Sequence, residues 1–262
     1  MDEVNTAPGR LRGRVRSRDG TPIAYERYGD GPPLVLVSGA LGTAAAERPL
    51  GLLLARRFSV VAYDRRGRGG SGDTSPYAVE REIEDLAAVV AEAGAGAALH
   101  GMGTGGALAL AAVAAGLPAG QVSVYEPPYS AEAAQRRRRV ATLLGQGRRG
   151  AALTLFLADS GVPAELRPGV AELAHTLAYD LAVLGDGTVP ERELARVHAR
   201  VLVVDGGASP AGTRQAARAL TAALPLARHR TLTGQTHEVA PHVIAPVLEQ
   251  FLAEDRETVG AV

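Results

Sequence analysis

The chain has 262 residues, of which 46% are hydrophobic, enough for one sizeable buried core and not clearly enough for two. Formal net charge is zero, and aromatic residues are only 4% with no Trp, so neither a basic nucleic-acid surface nor a base-stacking platform is expected. There is no Cys and every one of the 28 Lys-plus-Arg positions is Arg; disulfides, thiolate nucleophiles, Cys-ligated metals and Lys Schiff bases are excluded together.

Met1 to Arg18 are polar and charged, without the apolar stretch of a secretory signal, and residues 1–21 read as a frayed start. No apolar run is long enough for a membrane span, so a soluble, cytoplasmic protein is expected. A short strand is expected at Ile23–Arg27, followed by a turn at Gly29–Pro33. Leu34–Val37 is a four-residue apolar run closed by Ser38-Gly39, the pattern of a strand buried on both faces. Comparable runs follow at Phe58–Tyr63, Ala97–His100, Gln121–Tyr125, Val201–Val204 and His229–Leu232. Helical periodicity lies between them. Val79–Ala93 places Ile83, Leu86, Val89 and Val90 on one face. Gly105–Ala115 is apolar all round, and Thr213–Leu224 and Val243–Leu252 complete the alternation. Strands alternating with helices predict an α/β fold, a mostly parallel sheet with helices on both faces.

One stretch carries only helical signals, at Ala131–Gly145, Gly150–Ala158 and Pro168–Leu184. A helical insertion late in such a sheet is expected above the carboxyl ends of the strands, where ligands of open α/β sheets bind. The expected division is therefore an α/β core of residues 1–128 and 197–262, with a helical cap at 129–196.

The most informative segment is Leu99-His100-Gly101-Met102-Gly103-Thr104-Gly105-Gly106, a strand entering a glycine-dense turn that leaves as an apolar helix. That is the context of a nucleophile elbow, G-x-S-x-G, but the central position is Gly103. With Ser38-Gly39-Ala40-Leu41, with Tyr63-Asp64-Arg65-Arg66-Gly67-Arg68-Gly69-Gly70-Ser71-Gly72, and with Gly234-Gln235-Thr236-His237-Glu238-Val239, it resembles the α/β-hydrolase superfamily over nearly the whole chain after residue 20.

The resemblance implies that His237 is the general base, that Thr104 and either Ala40 or Leu41 supply oxyanion-type backbone N–H groups, and that Gly103 is a degenerate nucleophile position. The family's usual acid position reads Ser209. Glu126, held by Pro127 and Pro128 at the end of the preceding strand, is the better orienter of His237, with Asp205 as the alternative. Thr104 lies one position late to replace the missing Ser. Met102, His175 and Tyr179 are expected in the substrate pocket. The Arg136–Arg139 run reads as a solvated face, and His100 as a core residue.

Glycine offers no side-chain nucleophile, so no acyl-enzyme forms at position 103. A base facing two N–H donors suits proton abstraction beside a carbonyl, with the enolate held by the donors. The expectation is a non-hydrolytic enzyme acting on an apolar carbonyl-bearing small molecule, by carbon–carbon bond formation or cyclisation, in a natural-product setting that the Ala/Arg/Gly-rich composition makes plausible by association. The alternatives are a hydrolase in which His237 activates water and a binding protein without turnover. No cofactor, metal, nucleic-acid or membrane partner is expected, and the oligomeric state is not encoded in any recognisable pattern.

Overall fold

The computed structural model describes residues 10–158 and 169–254. Strands β1 (Arg10–Arg16), β2 (Pro22–Tyr28), β3 (Pro33–Val37), β4 (Ser59–Tyr63), β5 (Ala98–Met102), β6 (Gln121–Tyr125), β7 (Arg200–Gly206) and β8 (Ala227–Leu232) form one sheet in the order β1-β2-β4-β3-β5-β6-β7-β8. β1 and β2, and β2 and β4, pair antiparallel; every other pairing is parallel. Helices α1 (Ala44–Leu54), α2 (Val79–Ala93), α3 (Thr104–Ala114), α8 (Ala211–Ala223) and α9 (Pro241–Ala253) cover it. Between β6 and β7 come α4 (Ala131–Gly145), α5 (Arg149–Leu157), a 3-10 turn at Glu172–Thr176, α6 (Leu177–Leu184) and the single-turn α7 (Glu191–Leu194). The architecture is the expected α/β one.

Alternation along the parallel strands sends side chains into two cores. Val35, Val37, Val61, Leu99, Val122 and Val203 pack with Leu86 and Val89 of α2, Leu108 of α3 and Leu220 of α8. Leu34, Leu36, Val60, Tyr125 and Val204 pack on the other face with Leu50 and Leu54 of α1 and Ile244, Leu248 and Phe251 of α9. Each such side chain contributes roughly 1.5–3 kcal/mol by leaving water, so burial on both faces fixes the strands whose apolar runs are continuous.

Four elements depart from expectation. The supposedly frayed start contains β1, whose seven residues pair antiparallel with β2. It is an edge strand rich in Arg, so backbone pairing rather than apolar burial holds it, and charge guards the edge. Helix α1 was not anticipated; its buried positions are Ala44, Glu47, Leu50, Gly51 and Leu54, and Ala and Glu dilute the apolar stripe. β5 also runs two residues beyond His100, to Met102. Of the expected helix from Pro168 to Leu184, residue 168 lies outside the described residues, and the remainder divides into the 3-10 turn and α6.

The β4–α2 turn is tied down by charge. The Asp64 carboxylate accepts the Ala44 N–H at 2.7 Å and the Gly70 N–H at 2.8 Å, fixing the start of α1 and the turn together. Arg65, fully buried, forms a two-pronged pair with Glu82 of α2 at 2.8 Å on each prong, and donates to Asp180 of α6 at 2.8 Å. Arg68, also buried, donates to both Asp180 oxygens at 2.9 Å and to the Gly39 carbonyl at 2.7 Å. Burial raises the Asp180 carboxyl, but Arg68, Arg65 and the Thr104 hydroxyl more than offset this and hold it below the ordinary carboxylate range.

Candidate active site

The elbow is a strand-to-helix reversal at Gly103, with φ 50° and ψ −120°. A side chain is strained in that backbone. The adjoining contacts are equally tight: a Cβ on Gly105 would lie 2.2 Å from the Val37 carbonyl oxygen. The Gly103 N–H donates to the Tyr125 carbonyl at 2.8 Å, locking the bend to β6.

His237 lies beside this bend. A Cβ built on Gly103 would be 3.4 Å from His237 Cε1 and 3.6 Å from Nε2, with nothing else within 4 Å. The imidazole thus faces the place where an elbow side chain would begin, and that place holds only hydrogen. The His237 loop is held by the Tyr125 hydroxyl, which donates to the Thr236 carbonyl, and by the Ala208 N–H, which donates to the Gln235 carbonyl at 2.9 Å.

Glu126 completes the pair. Its Oε2 is 3.0 Å from His237 Nδ1, and its Oε1 accepts the Gly206 N–H at 2.8 Å. The carboxylate is buried whereas the imidazole is 58% exposed. Burial raises the Glu126 carboxyl; hydrogen bonding by His237 and the Gly206 amide outweighs it, so the group is held below its ordinary value and remains a carboxylate at neutral pH. An acceptor at Nδ1 fixes the tautomer with the proton there, which leaves Nε2, the atom facing Gly103, able to take a proton. Glu126 also has a positive φ of 47°, an uncommon backbone for a non-glycine residue. Of the two acids the sequence leaves open, Glu126 touches His237, while Asp205 lies fully buried with its carboxylate 3.1 Å from His229.

Thr104 begins α3, so its backbone N–H has no acceptor within the helix. Its hydroxyl donates to Asp180 Oδ1 at 2.8 Å and receives a longer contact from Arg65 at 3.4 Å. That hydroxyl is committed to the buried arginine network. Ala40 flanks the bend from the β3–α1 loop and lines the same cavity. Leu41, with a positive φ of 58°, instead sends its side chain into a cluster with Val140, Ala152, Leu153, Leu157 and Leu177 of the helical stretch.

A cavity of about 880 Å³ opens over the bend, within the size range of small-molecule sites. Gly103, Thr104, His237, Met102 and Leu50 line it from the sheet side, and Val140, Phe156, Leu177 and Leu181 from the helical stretch. Of the three residues expected in a substrate pocket, Met102 lines this cavity. His175 and Tyr179 are not in the wall. Tyr179 donates to both Asp73 oxygens at 3.0 and 2.9 Å and stacks on Tyr77 with ring centroids 3.9 Å apart. His175 Nε2 lies 3.5 Å from Asp73. Their shared helical face packs on the β4–α2 turn, while the next residue, Asp180, turns to the cavity wall. Glu47 of α1 also lines the cavity and was not found from sequence, which carries no signal for it. Among the described residues no cluster of acidic and His side chains could hold a metal ion, and no helix is long and apolar enough to cross a membrane.

Comparison with known proteins follows this geometry. An alpha/beta hydrolase from Sphaerobacter thermophilus is 50% identical; the match covers 92% of this chain and 100% of that one, with a TM-score of 0.82. The putative carbamate hydrolase RutD of Azorhizobium caulinodans is 40% identical over 97 residues, 34% of this chain and 36% of its own length. A non-heme haloperoxidase of Rhodococcus erythropolis is 36% identical over 95 residues, 35% of each chain. The matched segments thus span about a third of the length of these two curated relatives. The family model described as alpha/beta hydrolase matches residues 34–249. That match spans most of the chain, and the chain belongs to the alpha/beta hydrolase family.

Proposed function

We propose that the protein is an enzyme of this fold that works without a covalent nucleophile. His237, oriented by Glu126, removes a proton from carbon beside a carbonyl of an apolar small molecule. The observation that carries this reading is the approach of His237 Nε2 to within 3.6 Å of the vacant Cβ position on Gly103, where the reacting carbon of a bound molecule fits in place of a serine. The proton passes to Nε2, the C–H electron pair becomes an enolate, and the N–H groups of Thr104 and Ala40 stabilise its oxygen. The helical stretch at 129–196 serves as a cap that holds the reacting ends together, and the enolate carbon then adds to a second carbonyl carbon of the same molecule, closing a ring; that carbonyl's π pair becomes an alkoxide, which takes back the proton held on Nε2.

Deuterium uptake from D₂O into 2-tetralone, an apolar ketone with acidic α-hydrogens, tests this without knowledge of the natural substrate. The wild type is expected to exchange at least about a hundredfold faster than His237→Ala, the lower range for loss of a positioned base. A second reading has its own support: the same space above Gly103 accommodates a water beside Nε2, and relatives are named hydrolases. Steady hydrolysis of 4-nitrophenyl acetate by the wild type, abolished in His237→Ala, with no exchange into 2-tetralone, would favour water activation.

A further inference from the structure

Glu47 stands in the first turn of α1 yet is 9% exposed, among the most buried acidic residues outside the ion-pair networks. The cavity wall it belongs to also carries Ala46, Leu50, Met102 and Ile244, all apolar. Its carboxyl makes no hydrogen bond or ion pair among the described residues. His237 and Glu238 line the same cavity, and His242 lies on α9; three other charged groups of the surrounding elements are engaged elsewhere. Arg48, next along α1, reaches Glu26 of β2. Glu249 of α9 meets Arg57. Asp64, at the end of β4, holds the amides of Ala44 and Gly70. His100 of β5 shares this face of the sheet, being in register with Leu36, and burial lowers it to about 4, so it is neutral. Burial raises the Glu47 carboxyl to about 7.

A buried carboxyl without a partner is costly, and a core position would be better filled by Leu. It lines the cavity that Gly103 and His237 also line. We propose that Glu47 is a second polar anchor of this cavity, a carboxylic acid that donates a hydrogen bond to an oxygen of the bound molecule. The site then takes apolar molecules carrying two oxygen functions, one held at the elbow amides and one at Glu47. The elbow half of this statement rests on the function proposed above; the Glu47 half does not.

Flavone, neutral at all working pH values and bearing a ketone and a ring oxygen, is the probe, and calorimetric titration of the full chain is the measurement. Wild-type affinity is expected to fall on the order of tenfold between about pH 6 and about pH 8.5, as the donating form is lost from the population. Glu47→Gln keeps an N–H donor and does not titrate, so its affinity should be level across that range. Imidazoles in general titrate near neutrality, so His237→Ala is measured alongside and should keep the wild-type fall. An undiminished fall in Glu47→Gln, a level wild type, or no binding of flavone by the wild type at either pH overturns the proposal. Infrared spectra supply a readout independent of the probe. The wild type near pH 6 should show a protonated-carboxyl band that Glu47→Gln lacks, and its absence from the wild type overturns the proposal as well. Failure of His237-dependent exchange into 2-tetralone with these results intact would remove the proposed reaction and leave Glu47 as an anchor.

Discussion

Three residues near the elbow have positive φ: Leu41 at 58°, Gly103 at 50° and Glu126 at 47°. Such backbone strain costs about 1–3 kcal/mol per residue and persists where the surroundings impose it. Only at Gly103 does the residue type relieve it, which makes the position a test. Gly103→Ser should destabilise the fold by about 1–3 kcal/mol, because the added Cβ fits the space but not the torsion. It should also acquire acyl chemistry: Oγ attacks 4-nitrophenyl acetate, nitrophenolate leaves, and an acetyl adduct accumulates that intact-mass spectrometry detects. Gly103→Ala should show the same destabilisation and no adduct. An adduct in neither variant would mean that the imidazole and the oxyanion donors are not arranged for acyl transfer. His237, Glu126 and Gly103 were legible in the sequence because each sits in a short motif whose neighbours fix the turn. Glu47 was not, because nothing local distinguishes a cavity-facing carboxyl from a solvated one.

At the scale of elements, the cavity depends on how the helical stretch is seated on the sheet. Asp180 of α6 is the bolt. It accepts from Arg65, Arg68 and Thr104 at once, so that the β4–α2 turn, the elbow and the stretch share one carboxylate. Removing one partner of a buried pair leaves uncompensated charge and costs about 3–5 kcal/mol. Asp180→Ala is therefore expected to lower stability by that amount in urea denaturation; a loss under about 1 kcal/mol, the range of exposed pairs, would show that the network is not buried in solution. The sign for pH follows from the lowered carboxyl. Its stabilisation is present above the unfolded value of 3.8 and is lost as pH falls through the still lower folded value. This network could not be read from sequence, because Arg65 and Asp180 are 115 residues apart and ion pairing leaves no periodic trace. The parallel strands could be read, since burial on both faces demands continuous apolar runs. β1 could not, since an edge strand needs only backbone partners.

For the molecule as a whole, two buried groups outside the ion-pair networks set opposing pH dependences. Glu47 is raised from 4.5 to about 7 by burial, so the folded chain keeps a proton that the unfolded chain releases, and stability falls as pH rises between those values. His100 is lowered from 6.5 to about 4 by burial, so the unfolded chain holds the extra proton, and stability rises as pH rises across that range. Each effect amounts to about 3 kcal/mol, from roughly 1.4 kcal/mol per pH unit. They nearly cancel in the overlap. Glu47→Gln should therefore unmask a melting temperature that climbs with pH through this overlap and exceeds the wild type on the alkaline side; a profile parallel to the wild type's would contradict the burial of Glu47. A protein that keeps such a group trades stability for something else, which agrees with a cavity built to handle protons. The central claim is that this cavity keeps His237 as a base beside an elbow position, Gly103, that offers no nucleophile. Its most direct test is the rate of deuterium uptake into 2-tetralone in wild type, His237→Ala and Glu126→Gln. The account predicts rapid uptake in the wild type, a loss of about a hundredfold or more without the imidazole and an intermediate rate without the carboxylate. Equal rates in wild type and His237→Ala would contradict it.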